Sequence, residues 1–183
     1  MGLNTSDADY EVLLNQIVNS TQAWGWNVAS LVLYQATAAE IIASTDPGLQ
    51  HLLPAEVPDA LHPQTWRHEH LRISQSYLTG EQSVSAQSAT TWQAGDQLFI
   101  PLGVNDQEVG WLIISEPDSG LVPTEADVQL LETLARQAAM TIQQAQLQQA
   151  FHRQFLRQRV LNEIAHTISQ YLDLAELFEA ITS

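Results

Sequence analysis

The sequence predicts an α/β fold of the α+β kind, an antiparallel sheet with a helix at each end of the chain. Three observations carry that prediction. Tyr10, Leu13, Leu14, Ile17, Val18 and Thr21 recur at helical spacing near the N-terminus. Gln97–Val104 and residues 109–115 are two apolar runs joined at Asn105-Asp106, the pattern of a hairpin. After Pro123, Leu131, Leu134, Ala135, Ala138, Ile142 and Ala145 line one face of a long helix.

Taken in order, Ser6-Asp7-Ala8-Asp9 has the form of a capping box, the Ser6 hydroxyl and Asp9 carboxylate meeting free amides at a helix start. Gly25 ends that helix. Residues 27–34 (NVASLVLY) are apolar on both alternating faces, which predicts a strand covered on both sides. Residues 40–44 (EIIAS) follow as a short partner strand. Pro47, Gly48, Pro54, Pro58 and Pro63 make residues 46–65 irregular, with a helical turn or two, and Pro63 suits the first position of a short helix. Residues 72–78 (RISQSYL) alternate and read as one strand. Residues 79–95 are rich in Ser, Gln and Thr and read as a loop able to act as a lid.

In the hairpin, Pro101 has no N–H to donate, so its strand needs a bulge or a free edge there. Thr124-Glu125-Ala126-Asp127 is a second capping box. No Gly or Pro follows Pro123, so the helix it opens runs on through Leu147, Phe151, Phe155 and Val160. A helix of that length pairs with another, here a second copy, in a coiled coil.

Composition narrows the function. The 183 residues are 45% hydrophobic, enough for one good core or one domain with a helical extension. Cys is absent, which rules out a thiolate nucleophile, a zinc–thiolate site and a thioether-linked cofactor. The formal charge is −15, and residues 1–120 alone hold 14 carboxylates against Arg67 and Arg72, a balance of −12. Such a field repels nucleic acid and anionic lipid, so neither is expected as a partner. No apolar run approaches the roughly 20 residues that cross a bilayer, and no signal peptide precedes the first helix, so the cytoplasm is the expected location.

Candidate chemistry is sparse. His51, His62, His68 and His70 lie between the second strand and Tyr77. His68-Glu69-His70 would clamp a metal only on a strand, where alternate side chains share a face; Pro63 favours a short helix instead, and no third ligand is evident. No metal site is therefore expected. His166-Thr167-Ile168-Ser169-Gln170 lacks the acidic residue that follows a phosphoacceptor histidine. No nucleophile–base pair, glycine-rich phosphate loop or paired carboxylates occur, so no catalytic residues and no enzyme activity are expected.

The hairpin and the final helix, from Gln97 to Leu147, resemble the C-terminal half of a GAF domain. Arg72-Ile-Ser-Gln-Ser-Tyr77 is similar to a strand found in multi-GAF signalling proteins of bacteria, cyanobacteria among them. Ser115-Glu-Pro-Asp-Ser-Gly120 resembles their acidic loop, with Leu121 where an Arg usually follows. The resemblance implies a GAF-like sheet with the terminal helices on one face and ligand-side loops on the other. It divides the chain into a sensory domain at 1–147, a helical linker at 148–160 and the truncated first helix of a following GAF domain at 161–183.

It further implies a cytoplasmic sensory module that works as a homodimer through its N- and C-terminal helices. The downstream effector of the same chain would be a histidine kinase or a cyclase. A small-molecule ligand would sit on one sheet face, where Trp66, His70, Arg72, Tyr77, Trp92 and Phe99 fall. The same aromatics equally suit a plain core. Arg67 or Arg72 would hold an anionic ligand, or would pair with surplus carboxylates. The cofactor is unknown. A covalently attached bilin is excluded without Cys, and non-covalent haem through a histidine stays open. The alternative is a ligand-free dimerisation and spacer module.

Overall fold

β1 (Trp26–Tyr34) is the strand on which the two faces of the domain are built. The computed structural model describes residues 5–34, 38–68, 71–79, 91–105 and 107–182. α1 (Thr5–Ala23) comes first, so Ser6 lies within the helix rather than at its cap. The helix stops where expected: Gly25 adopts φ +81°, and its N–H reaches back to the Gln22 carbonyl at 3.1 Å. β2 (Ala39–Ser44) pairs with β1, and the irregular segment after it holds α2 (Pro47–Gln50), β3 (Ala55–Glu56), a 3-10 turn at Asp59–Leu61 and α3 (Pro63–Trp66).

β4 (Arg72–Ile73), β5 (Ser76–Thr79), β6 (Gln97–Val104) and β7 (Gln107–Pro117) precede α4 (Glu125–Thr182). Among the described residues seven strands form one sheet, ordered β3-β2-β1-β7-β6-β5-β4, with every pairing antiparallel.

Alternation sorts the side chains between faces. Ala29, Leu31 and Leu33 of β1, Leu98, Ile100 and Leu102 of β6, and Leu112 and Ile114 of β7 meet Leu14 and Val18 of α1. Val128, Leu131, Ala135, Ala139 and Ile142 of α4 complete that core. Val32, Phe99, Trp111 and Ile113 point to the opposite face, under Val57 and Trp66. β1 is thus covered on both sides, as its apolar run predicts.

The predicted strand at 72–78 is instead a hairpin. Arg72 pairs with Tyr77 and Ile73 with Ser76, with Ser74 at φ +59° in the turn between them. A positive φ is unfavourable for serine, and hydrogen bonds from the turn to Glu132, given below, hold it there. The 97–117 hairpin turns at Asn105 (φ +51°), and its ladder shifts register between Leu102 and Gly103, one residue after Pro101. Pairing to β5 ends at Phe99, so Pro101 also faces a free edge.

Thr124 caps α4 as predicted: its N–H and hydroxyl donate to Asp127 Oδ2 at 2.9 and 2.7 Å, and the Asp127 N–H returns to Thr124 Oγ1 at 3.3 Å. The chain divides into two units between Gln143 and Gln144. In the second, Leu147, Phe151, Phe155, Val160, Leu161 and Ile164 of α4 are all exposed. Most of the predicted 79–95 loop lies outside the described residues. Among the described residues no helix is long and apolar enough to cross a membrane.

Candidate functional site

The face opposite the helices carries a box of aromatic rings. Phe99 reaches it from β6, Trp111 from β7 and Tyr77 from β5, because each lies at an alternating position that faces away from the helices. Trp66 comes from α3, a four-residue helix started by Pro63. Its indole is 1% exposed. It stacks on Phe99 at 4.7 Å and 19°, and meets Tyr77 at 5.4 Å and Trp111 at 6.1 Å. Such ring pairs each add about 0.5–1.5 kcal/mol beyond their buried area. Trp66 Nε1 donates to the Leu61 carbonyl at 2.9 Å.

A polar cluster closes the box. The Arg67 guanidinium lies over the Trp66 ring at 5.0 Å and forms an ion pair with Glu108 of β7. Glu108 Oε1 accepts the Tyr34 hydroxyl proton at 3.0 Å. Burial, then the charge of Glu108 and its hydrogen bond, push the Tyr34 phenol up to about 12, against the opposing pull of Arg67. Beneath, Trp111 is fully buried, and its Nε1 is the one buried side-chain donor or acceptor left without a partner among the described residues.

Of the six residues singled out from the sequence, the five that the structure describes do not converge. Trp66, Tyr77 and Phe99 share the box. Trp92 lies on the opposite face, edge-on to Trp26 at 5.3 Å and packed with the helix-side core. Arg72 is exposed on β4, its Nε donating to the Ser74 carbonyl at 2.7 Å. His70, with Glu69 of the His68-Glu69-His70 group, lies outside the described residues. Among the described residues no three His, Asp or Glu side chains are grouped to hold a metal. Arg67 takes the carboxylate-pairing role.

Trp111, Glu108 and Tyr34 were missed. The signal was available: in the hairpin register Phe99 faces Ile113 and Pro101 faces Trp111, so Trp111 lies on the face of Phe99.

A second polar centre ties the helix side together. Glu132 of α4 is 9% exposed. It accepts bonds from Ser74 Oγ (2.8 Å), Gln75 N (2.7 Å) and Ser76 Oγ (2.7 Å), so one carboxylate satisfies the β4–β5 turn. Beside it lies a cleft of about 460 Å³ lined in part by Gln75, Asn105, Arg136 and Met140. The acidic loop has a comparable role at the other end. The Asp118 N–H donates to the Gly25 carbonyl at 2.8 Å, and Asn27 Nδ2 donates to Asp118 Oδ1 at 2.9 Å, pinning the loop to the α1–β1 junction.

The GAF domain family model matches residues 7–143, the span that holds the sheet, both helix contacts and the aromatic box. The chain belongs to the GAF domain family. Solved GAF structures share its fold. The GAF-B domain of DevS from Mycobacterium smegmatis is 15% identical, with a TM-score of 0.56 over 78% of this chain and 98% of that one. The GAF domain/HD domain protein from Geobacter sulfurreducens is 14% identical, with a TM-score of 0.53 over 76% and 95%. The GAF domain of a two-component sensor histidine kinase from Bacillus halodurans is 16% identical, with a TM-score of 0.52 over 75% and 95%. At these identities the likeness is one of fold. A search of curated proteins gives no match. GAF domains are generally small-molecule-binding regulatory domains rather than catalysts.

Proposed function

We propose that this GAF domain is the cytoplasmic input module of a bacterial two-component or cyclase system, without catalytic activity of its own. A small molecule bound at the aromatic face, against Trp66, Tyr77 and Phe99, shifts the population of two α1–α4 arrangements. A parallel dimer passes that shift through α4 to an effector in the same polypeptide, a histidine kinase or a cyclase. Residues 161–183 then begin a second GAF domain. The observation that carries this reading is the exposed apolar stripe of α4: Leu147, Phe151 and Phe155 recur at four-residue steps and stay uncovered, which suits a second copy of the same helix.

A spacer module without a ligand is the second reading. The rings that fill the aromatic face themselves favour it. Native mass spectrometry, gentle and then denaturing, separates the two. A dimer carrying a small mass that is lost on denaturation supports the sensor. A dimer of clean polypeptide mass supports the spacer, and a monomer contradicts the helical relay.

A further inference from the structure

We infer that Trp66 is a built-in occupant of the aromatic face: it fills the slot of a planar heteroaromatic ligand whose ring acceptor would take the Trp111 Nε1 proton. The inference rests on the sensor reading and adds to it the ligand's chemistry and the way in. Three observations carry it.

The first is the orphaned donor. Trp111 is 0% exposed, and its N–H meets no acceptor among the described residues. A buried indole normally finds a partner, and an unpaired donor is costly to keep. Its ring neighbours are Trp66 at 6.1 Å and Tyr34 at 5.4 Å. A ligand in the place of Trp66 supplies what the indole of Trp66 lacks, because that indole is itself a donor with no acceptor nitrogen.

The second is attachment. Phe99, Trp111, Tyr77 and Tyr34 all stand on strands of the sheet, and Trp66 alone among these rings stands on the four-residue α3. Local bonds hold that segment: Arg67 N to the Pro63 carbonyl at 2.9 Å and Thr65 Oγ1 to the Asp59 carbonyl at 2.8 Å. Trp66 is therefore the wall that can leave while the sheet keeps its register.

The third is the latch. The pair that closes α3 over the sheet is Arg67–Glu108, whose side chains are 34% and 26% exposed. Ion pairs this wet are weak and readily opened. The slot is flat because Trp66 stacks on Phe99 at 19° with Arg67 over its ring, so it suits a planar guest.

The test uses the full chain with quinoline, a bicycle bearing an acceptor nitrogen, and naphthalene, its acceptor-free counterpart. Trp66→Ala opens the slot without ligand. Quinoline should bind that variant about tenfold more tightly than naphthalene, the ratio expected for one added hydrogen bond. The preference should vanish when Trp111→Phe is added. Arg67→Ala with Trp66 in place should bind quinoline about tenfold more tightly than the wild-type chain, by releasing the latch.

Equal binding of the two probes, or none, overturns the acceptor assignment. An Arg67→Ala chain no tighter than wild type overturns the displacement. If Trp66→Ala does not fold, Trp66→Leu with pyridine against benzene reads the same difference. None of these failures alters the mass-spectrometric test of the sensor reading.

Discussion

The carboxylate of Glu132 on α4 accepts the Ser76 hydroxyl proton at 2.7 Å, joining the last helix to a strand near the far edge of the sheet. Its other bonds go to Ser74 and Gln75 in the β4–β5 turn, so the helix and the turn share one buried acceptor. Removing it leaves three donors unpaired and a serine at φ +59° without support. Glu132→Ala should cost about 3 kcal/mol, a fall of about 10 °C in Tm, with Glu132→Gln intermediate because one carbonyl oxygen remains. Differential scanning calorimetry reads both. A loss under about 0.5 kcal/mol for Glu132→Ala would remove the anchor from the account.

At Gly110 the backbone of β1 leaves no room for a side chain on β7. A Cβ there would lie 2.0 Å from the Val32 carbonyl oxygen and 2.9 Å from the Leu33 Cα, both backbone atoms that cannot swing aside. Gly110→Ala should destabilise by about 3 kcal/mol, at the upper end of overpacking costs. Gly103→Ala, whose Cβ meets only the Gln107 carbonyl at 3.6 Å, should cost under about 1 kcal/mol. Chemical denaturation of the pair gives the comparison.

Tyr34 should be a late titrator. Its folded value, pushed up to about 12 from 10 by burial and by Glu108, means that the folded chain keeps this proton longer than the unfolded one. Its contribution to stability is then fully present below pH 10 and is lost as the pH rises through about 12. Absorbance at the phenolate band should show Tyr34 titrating late, and Glu108→Gln should bring its midpoint down.

The cap of α4 has the opposite sign. The Thr124 hydroxyl and then its N–H hold the Asp127 carboxyl below its usual range. A lowered folded value gives stability that is present above the unfolded value and lost as pH falls through the folded one. Thr124→Ala should cost about 1 kcal/mol at pH 7. The loss from Asp127→Asn should shrink as the pH is lowered past the carboxylate range, which thermal melts across pH 2–7 would show.

The sequence made the framework legible because periodicity and turn chemistry act locally. The hairpin at Asn105, the cap at Thr124 and the stop at Gly25 follow from neighbouring residues. The β4–β5 turn did not, because the group that stabilises Ser74 is Glu132, 58 residues away. The site was half legible for the same reason. Phe99, Tyr77 and Trp66 fall on one face, whereas Trp92 is drawn to Trp26 on the other by a pairing no local pattern encodes. Glu108 carries no local signal of its partners, Arg67 and Tyr34, which come from distant parts of the chain.

Sedimentation equilibrium of the purified chain beside its Phe151→Glu/Phe155→Glu variant tests the central claim, a helix-mediated dimer, most directly. The account predicts a wild-type dimer, and a variant weakened at least about 100-fold, because each ring contributes about 1.5–3 kcal/mol when buried. A wild-type monomer, or a dimer indifferent to both substitutions, would contradict it.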